Sequence, residues 1–287
     1  MVEPQEGMEY RQLAELARRA EAAGFEGFFR SDHWLSLEGL FERPATDAWT
    51  TLAGLARETS SIRLGTLVSP VTFRHPVALA KIVATADEMS GGRIELGLGA
   101  GWHDPEHLRF GLPYPPMPER FDMLEEQLAI ITGLWTRASF SFEGHHYRLR
   151  DAVCYPKPVQ QPHPPIIVGG YGKPRTVRLA ARFADELNLD TPAPTDCARV
   201  FGQLDEECRI SGRDPTSICR SAMIPWPDGS WEARRRRIRT YAAAGVDRLY
   251  LNVGTGLPDA EDIGRFGREV IEKPSLRRGN APPTSGK

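Results

Sequence analysis

Apolar residues along this chain alternate between two spacings. In "EYRQLAELARRAEAAG", Leu13, Leu16, Ala17 and Ala20 recur at helical intervals, and Gly24 ends the run. "FEGFFRS" follows as a short buried-strand pattern. The exchange repeats. "DAWTTLAGLARETS" is helical, with Leu52, Leu55 and Ala56 on one face. "SIRLGTLVS" is a strand that buries Ile62, Leu64, Leu67 and Val68. "HPVALAKIVATADEMSGG" is a helix and "RIELGLGAGW" a strand. Further on, "PIIVGGYG", "DELNLD", "ICRSAMIP" and "VDRLYLNV" read as strands. "KPRTVRLAARFA", "APTDCARVFGQLDEECRISG", "SWEARRRRIRTYAAAG" and "DAEDIGRFGREVIEKP" read as the helices after them.

Between these halves the rhythm breaks, from His103 to about Pro165. This excursion holds a Pro-rich loop ("FGLPYPPMPER"), a helix ("ERFDMLEEQLAIITGLWT") and a hairpin pattern ("FSFEGHHYRLRDAVCYPKPVQQ"). Seven strands follow from Phe25 onward, and "MVEP" supplies an eighth. Strands alternating with helices predict a parallel sheet. Eight units closing on themselves give an α/β fold of the (β/α)8 TIM-barrel type with a long insertion after strand four. Fewer in an open sheet give a doubly wound fold. A barrel of roughly 250 residues is one domain, expected here over 1–275, with a polar, disordered tail over 276–287.

Composition narrows the function. The formal net charge is −2 and 40% of residues are apolar. No basic excess points to nucleic acid or a membrane surface. Arg234–Arg237 read as a charged outer helix face. Cys154, Cys197, Cys208 and Cys219 lack paired spacing and read as reduced packing residues of a cytoplasmic protein. No run is long enough for a membrane helix, and "MVEPQEGMEYRQ" lacks the basic and apolar regions of a signal peptide.

In a parallel barrel, chemistry sits at the carboxyl ends of the strands. Ser31, Asp32, His33 and Trp34 follow one strand. The segment from Ser69 to Arg74 follows the next. Gly97 to Trp102, then His103 and Glu106, follow another. Gly169 to Lys173 follow "PIIV", and Asn188 and Asp190 end "DELNLD". An imidazole exchanges protons near neutral pH. Trp34 and Trp102 offer flat faces to a planar ring. "VGGYGKPRT" hands a strand to a helix, with Lys173 and Arg175 nearby, which suits a phosphate; a plain helix-starting turn is the blander reading. "GLGAGW" is no dinucleotide fingerprint. His145 and His146 are strand neighbours, point to opposite faces and read as structural.

The ordered motifs "GFFRSDHW", "IRLGTLVSPVTFRHPVALAKIVATADEMSGGRIELGLGAGW", "ERFDMLEEQLAII" and "PIIVGGYGKPRTVRLAARFADELN" resemble the luciferase-like flavin/deazaflavin superfamily. The likeness is greatest to its coenzyme F420-dependent oxidoreductase branch and runs from about Met1 to Ile271. It implies a barrel whose mouth holds a deazaflavin against Thr66, Leu67, Val68, Ser69, Gly99, Ala100 and Trp102. Gly169, Gly170, Tyr171 and Gly172 would take its phosphate. It implies a non-proline cis peptide within Thr66–Ser69, most simply at Thr66–Leu67. His33 would lie at the ring's reactive edge, with Asp32 setting its tautomer. It further implies a small-molecule substrate, hydride transfer and a homodimer. The alternatives are an FMN-dependent monooxygenase and a non-catalytic flavin-binding protein. In the family, residues before the segment matching "MVEPQEG" form most of strand one. That strand is therefore expected to be truncated here, from a start assigned too late, with poor closure and lower stability if the chain truly begins at Met1.

Overall fold

The computed structural model describes residues 1–254 and 260–271. The tail expected over 276–287 lies outside the described residues. Helix α1 (Tyr10–Ala22) starts where the Glu9 N–H donates to Gln12 Oε1 at 2.8 Å, and it buries Leu13, Leu16 and Ala17. It delivers the chain to β1 (Gly27–Arg30). Then come α2 (Ala48–Glu58), β2 (Arg63–Thr66), β3 (Ser69–Pro70), α3 (Pro76–Ser90) and β4 (Ile94–Gly99). After residues 104–165, β7 (Ile166–Gly170), α6 (Pro174–Phe183), β8 (Glu186–Asp190), α7 (Pro194–Ser211), β9 (Cys219–Pro225), α8 (Trp231–Ala243), β10 (Arg248–Asn252) and α9 (Ala260–Phe266) complete the alternation.

The fold is α/β around a curled parallel sheet. Its order is β1-β2-β4-β7-β8-β9-β10, with β3 also on β4. Residues 1 and 2 touch both outer strands. Val2 N–H donates to Phe29 O and Ser31 N–H to Val2 O, while Val253 N–H donates to Met1 O. The strand expected over "MVEP" is here one bridge, Val2 to Arg30, because Pro4–Glu6 turn into a short 3-10 helix. The strand expected over "SIRLGTLVS" is split. Leu67 and Val68 leave the ladder between β2 and β3, and their peptide bond is cis. The cis bond thus falls within Thr66–Ser69, one residue later than Thr66–Leu67.

Residues 104–165 hold α4 (Asp104–Phe110), α5 (Met117–Thr136) and a hairpin of β5 (Phe140–Glu143) and β6 (Arg148–Ala152). Helix α5 packs on α3 and α6, so it belongs to the outer helix layer. Only α4 with its following loop, and the hairpin, stand outside the alternation. The patterning gave no hint of α4.

Aliphatic residues from the helices and the outer sheet face, such as Leu13, Leu52, Leu79, Leu96, Ile166 and Val177, form the main core. Inside the curl, Phe29, Leu67, Ile167 and Tyr250 pack together, Phe29 edge-on to Tyr250 at 4.9 Å. At the amino ends of the strands lies an ionic plug. Arg248 Nη1 reaches Glu95 Oε2 and Glu186 Oε2, each at 2.8 Å, and the Tyr250 hydroxyl donates to Glu186 Oε1 at 2.8 Å. Arg63 also pairs with Glu95, and Arg248 with Glu26. Burial raises the Glu186 carboxyl above the usual range, and Arg248 opposes that rise. With this end plugged, the carboxyl ends of the strands are the open face.

Candidate active site

A cavity of about 430 Å³ opens at those carboxyl ends. Ser31 and His33 follow the end of β1. Leu67, Val68 and Pro70 come from the split strand, and Gly99, Ala100 and Trp102 from β4. Gly169, Gly170 and Tyr171 come from β7, Asn188 and Asp190 from β8, Met223 from β9. Helix α4 supplies Glu106 and His107, preceded by His103, and α5 supplies Met117 and Phe121. Lys173 stands at the start of α6 beside the glycine turn.

His33 Nδ1 lies 2.8 Å from Glu106 Oε2. The other carboxylate oxygen of Glu106 accepts from the N–H groups of Trp34 and Leu35. A carboxylate is an acceptor, so Nδ1 carries the hydrogen and Nε2 is the nitrogen left to the cavity. Glu106 is 1% exposed, so the carboxylate that fixes the imidazole is shielded from bulk water. Trp102 meets His33 edge-on at 5.6 Å.

Asp32 does not orient His33. Asp32 turns into the wall, 1% exposed. It accepts from Ser69 Oγ at 2.6 Å and from Arg74, which also pairs with Asp47. Trp34 likewise leaves the cavity. It stacks on Phe73 at 4.4 Å beneath the Arg74 guanidinium. Of the residues expected against a cofactor, Thr66 and Ser69 are spent on the framework. Thr66 Oγ1 donates to Gly97 O, and Ser69 Oγ accepts from Trp49 Nε1. Gly172 lies behind the wall: at φ +67 a Cβ there would meet Val200 Cγ2 at 2.7 Å. Leu67, Val68, Gly99, Ala100, Trp102, Gly169, Gly170 and Tyr171 do line the cavity.

Val68 is seated between two glycines. A Cβ on Gly99 would meet Val68 Cγ2, and one on Gly169 would meet Val68 Cγ1, each at 2.7 Å. The glycines let Val68 sink toward the sheet and leave the cavity its depth. Along α4, His107 Nδ1 donates to His103 O at 2.9 Å, so its Nε2 accepts from the Thr72 hydroxyl at 2.6 Å. Burial depresses both His103 and His107 below the ordinary imidazole value of 6.5. Burial and then Asp190 raise the Tyr171 phenol.

A planar flavin or deazaflavin fits this cavity. Its volume lies in the range of organic-ligand sites. Leu67 and Val68 give an apolar backing, and the turn at Gly169–Gly172 runs into the N-terminus of α6 beside Lys173, where a phosphate is favoured. Among the described residues, no cluster of His, Cys, Asp and Glu could hold a metal ion. No helix among them is long and apolar enough to cross a membrane.

The chain is similar to known proteins in sequence and in fold. The chain is 36% identical over 178 residues to the F420-dependent glucose-6-phosphate dehydrogenase of Microbacterium testaceum, which covers 61% of this chain and 51% of that protein. It is 32% identical over 238 residues to the F420-dependent hydroxymycolic acid dehydrogenase of Mycobacterium tuberculosis, covering 81% of this chain and 64% of that one. The chain thus spans about half to two thirds of these relatives. Its fold superposes on an F420-dependent secondary alcohol dehydrogenase solved with an F420-acetone adduct, with a TM-score of 0.83 and 21% identity over 94% of this chain and 96% of that one. Residues 1–269 match the sequence profile of the luciferase-like monooxygenases, and the chain belongs to that family.

Proposed function

We propose that this chain is a coenzyme F420-dependent oxidoreductase acting on a small organic substrate at the mouth of a (β/α)8 barrel. The observation that carries the reading is His33, held by Glu106 with Nε2 toward a cavity backed by Leu67 and Val68. The names of the sequence relatives support F420 over FMN. When bound, F420 exchanges a hydride at C5 of its deazaflavin. Leu67, Val68, Gly99 and Ala100 would hold the ring, and Gly169, Gly170 and Lys173 its phosphate.

The protein's own part is acid–base work and position. His33 Nε2 takes the proton of a substrate hydroxyl on oxidation, or returns it to a carbonyl oxygen on reduction. Glu106 keeps Nδ1 protonated, so only Nε2 is available, and it stabilises the imidazolium formed. Asp32, Arg74 and Ser69 hold the end of β1 in place behind the imidazole.

Separate fluorescence titrations with F420 and FMN test the reading. Micromolar or tighter F420 binding with much weaker FMN binding is expected; the reverse order would move the protein to the flavin monooxygenase reading.

A further inference from the structure

Arg120 is a cation in a poor place for one. It is 4% exposed, its Nε has no hydrogen-bond partner, and no carboxylate pairs with it among the described residues. It also stands in the first turns of α5, where the helix dipole disfavours positive charge. Each of these facts costs stability. If the position served packing alone, an apolar side chain of similar length would serve it better.

Its contacts run instead to the rim of the cavity. Nη1 donates to Pro115 O at 2.6 Å, and Nη2 lies 3.6 Å from Met117 Sδ. The guanidinium lies over the Tyr114 ring at 3.8 Å. The Tyr114 hydroxyl in turn donates to Trp102 O at 2.9 Å, and its ring rests against His107 at 4.4 Å. Trp102 and Met117, the two ends of this network, both line the cavity and are 57% and 43% exposed. Side chains so exposed have little packing to fix them, so their support comes from beneath. A guanidinium suits that task. Its face stacks on a ring while its edge donates to a carbonyl, which an apolar side chain cannot do and an ammonium does less well.

We infer that Arg120 is a positioning residue for the cavity mouth: acting through Tyr114 and Pro115, it fixes where Trp102 and Met117 stand. It thereby sets the width of the opening past which a substrate enters. Its place at the entrance rests on the reading of this cavity as the active site; the network itself does not depend on which cofactor is held there.

The test uses the full chain, labelled in separate preparations with 5-fluorotryptophan and with methyl-13C methionine. Trp102→Phe and Met117→Leu assign the two rim resonances. Arg120→Met is expected to shift or broaden both, while the urea midpoint holds or rises, because a buried charge without an ion-pair partner has been removed. Tyr114→Phe cuts the link to Trp102 O. It is expected to move the Trp102 resonance and leave that of Met117, and adding Arg120→Met is expected to move Trp102 no further. Arg120→Lys keeps the charge without the planar fork and is expected to leave both resonances displaced. Resonances that stay in place in Arg120→Met, a lowered urea midpoint in that variant, or restoration of both resonances by Arg120→Lys would each overturn the inference. No arm of the test needs a cofactor, so failure of F420 to bind would overturn the function proposed above and leave this inference to its own result.

Discussion

His33 and Asp32 are adjacent in sequence and separate in purpose. Their adjacency suggested a pair, but the two side chains take different partners, Asp32 with Ser69 and Arg74 and His33 with Glu106. The partner of His33 is Glu106, 73 residues further on, a relation that no local spacing encodes. Glu106 stood out only as one more polar residue after a strand. His33→Ala is expected to lower kcat by about 10²–10⁴, the usual contribution of a general acid–base group, while the Kd for F420 changes by less than about tenfold. Equal losses would make His33 a cofactor-holding residue instead. Glu106→Gln presents an acceptor or a donor to Nδ1, so tautomer control weakens; a loss in kcat smaller than that of His33→Ala is expected, with F420 affinity largely kept. The glycine pair gives a test of shape. Gly169→Ala places a Cβ against Val68 Cγ1 and is expected to weaken F420 binding. Adding Val68→Ala removes the clash and should restore much of it, measured by the same titration.

The regular elements were legible because their amphipathic periods are strong; α1 and α6 bury one face each. Exceptions arise where tertiary contacts overrule a local pattern. "SIRLGTLVS" carries Ile62, Leu64, Leu67 and Val68 and reads as one strand, yet Leu67 and Val68 turn into the cavity and break the ladder. Helix α4 is only seven residues long and too short to show a period. It is held by side chains, with His107 between Thr72 Oγ1 and His103 O. Because burial lowers both histidines in the folded chain, the unfolded chain takes up protons first on acidification. Their contribution is complete above 6.5, the ordinary value, and is lost as pH falls from there through the depressed folded values. Thermal melts from about pH 7.5 to 5 should show this decline, and His107→Gln should reduce it. The arginine run in α8 was read as an outer face. Its first two members bind across to the next helical segment, Arg234 to Asp262 and Arg235 to Glu269.

At the scale of the molecule, strand–helix alternation made the parallel sheet readable from the sequence. How the sheet curls was not, since it depends on hydrogen bonds from Met1 and Val2 and on the plug below. Glu95 and Glu186 are 1% and 3% exposed, and Arg248 is the cation they share. Arg248→Met leaves Glu186 without its charge partner. Removing one member of a buried ion pair costs about 3–5 kcal/mol, read as a lowered urea midpoint with the F420 titration unchanged per folded molecule. Double replacement of Arg248 and Glu186 by apolar residues of similar size should recover part of that loss.

The carboxylate of Glu106 also binds the backbone of Trp34 and Leu35, and this has a mechanical consequence. The loop after β1 and helix α4 are riveted into a single jaw, with the imidazole bolted between them. That jaw cannot swing without carrying the His33 imidazole with it. Any widening of the mouth to admit bulkier molecules then falls to other lining residues, such as Met117 and Phe121 in the first turns of α5. Natural or laboratory divergence in what the enzyme accepts should accumulate there first.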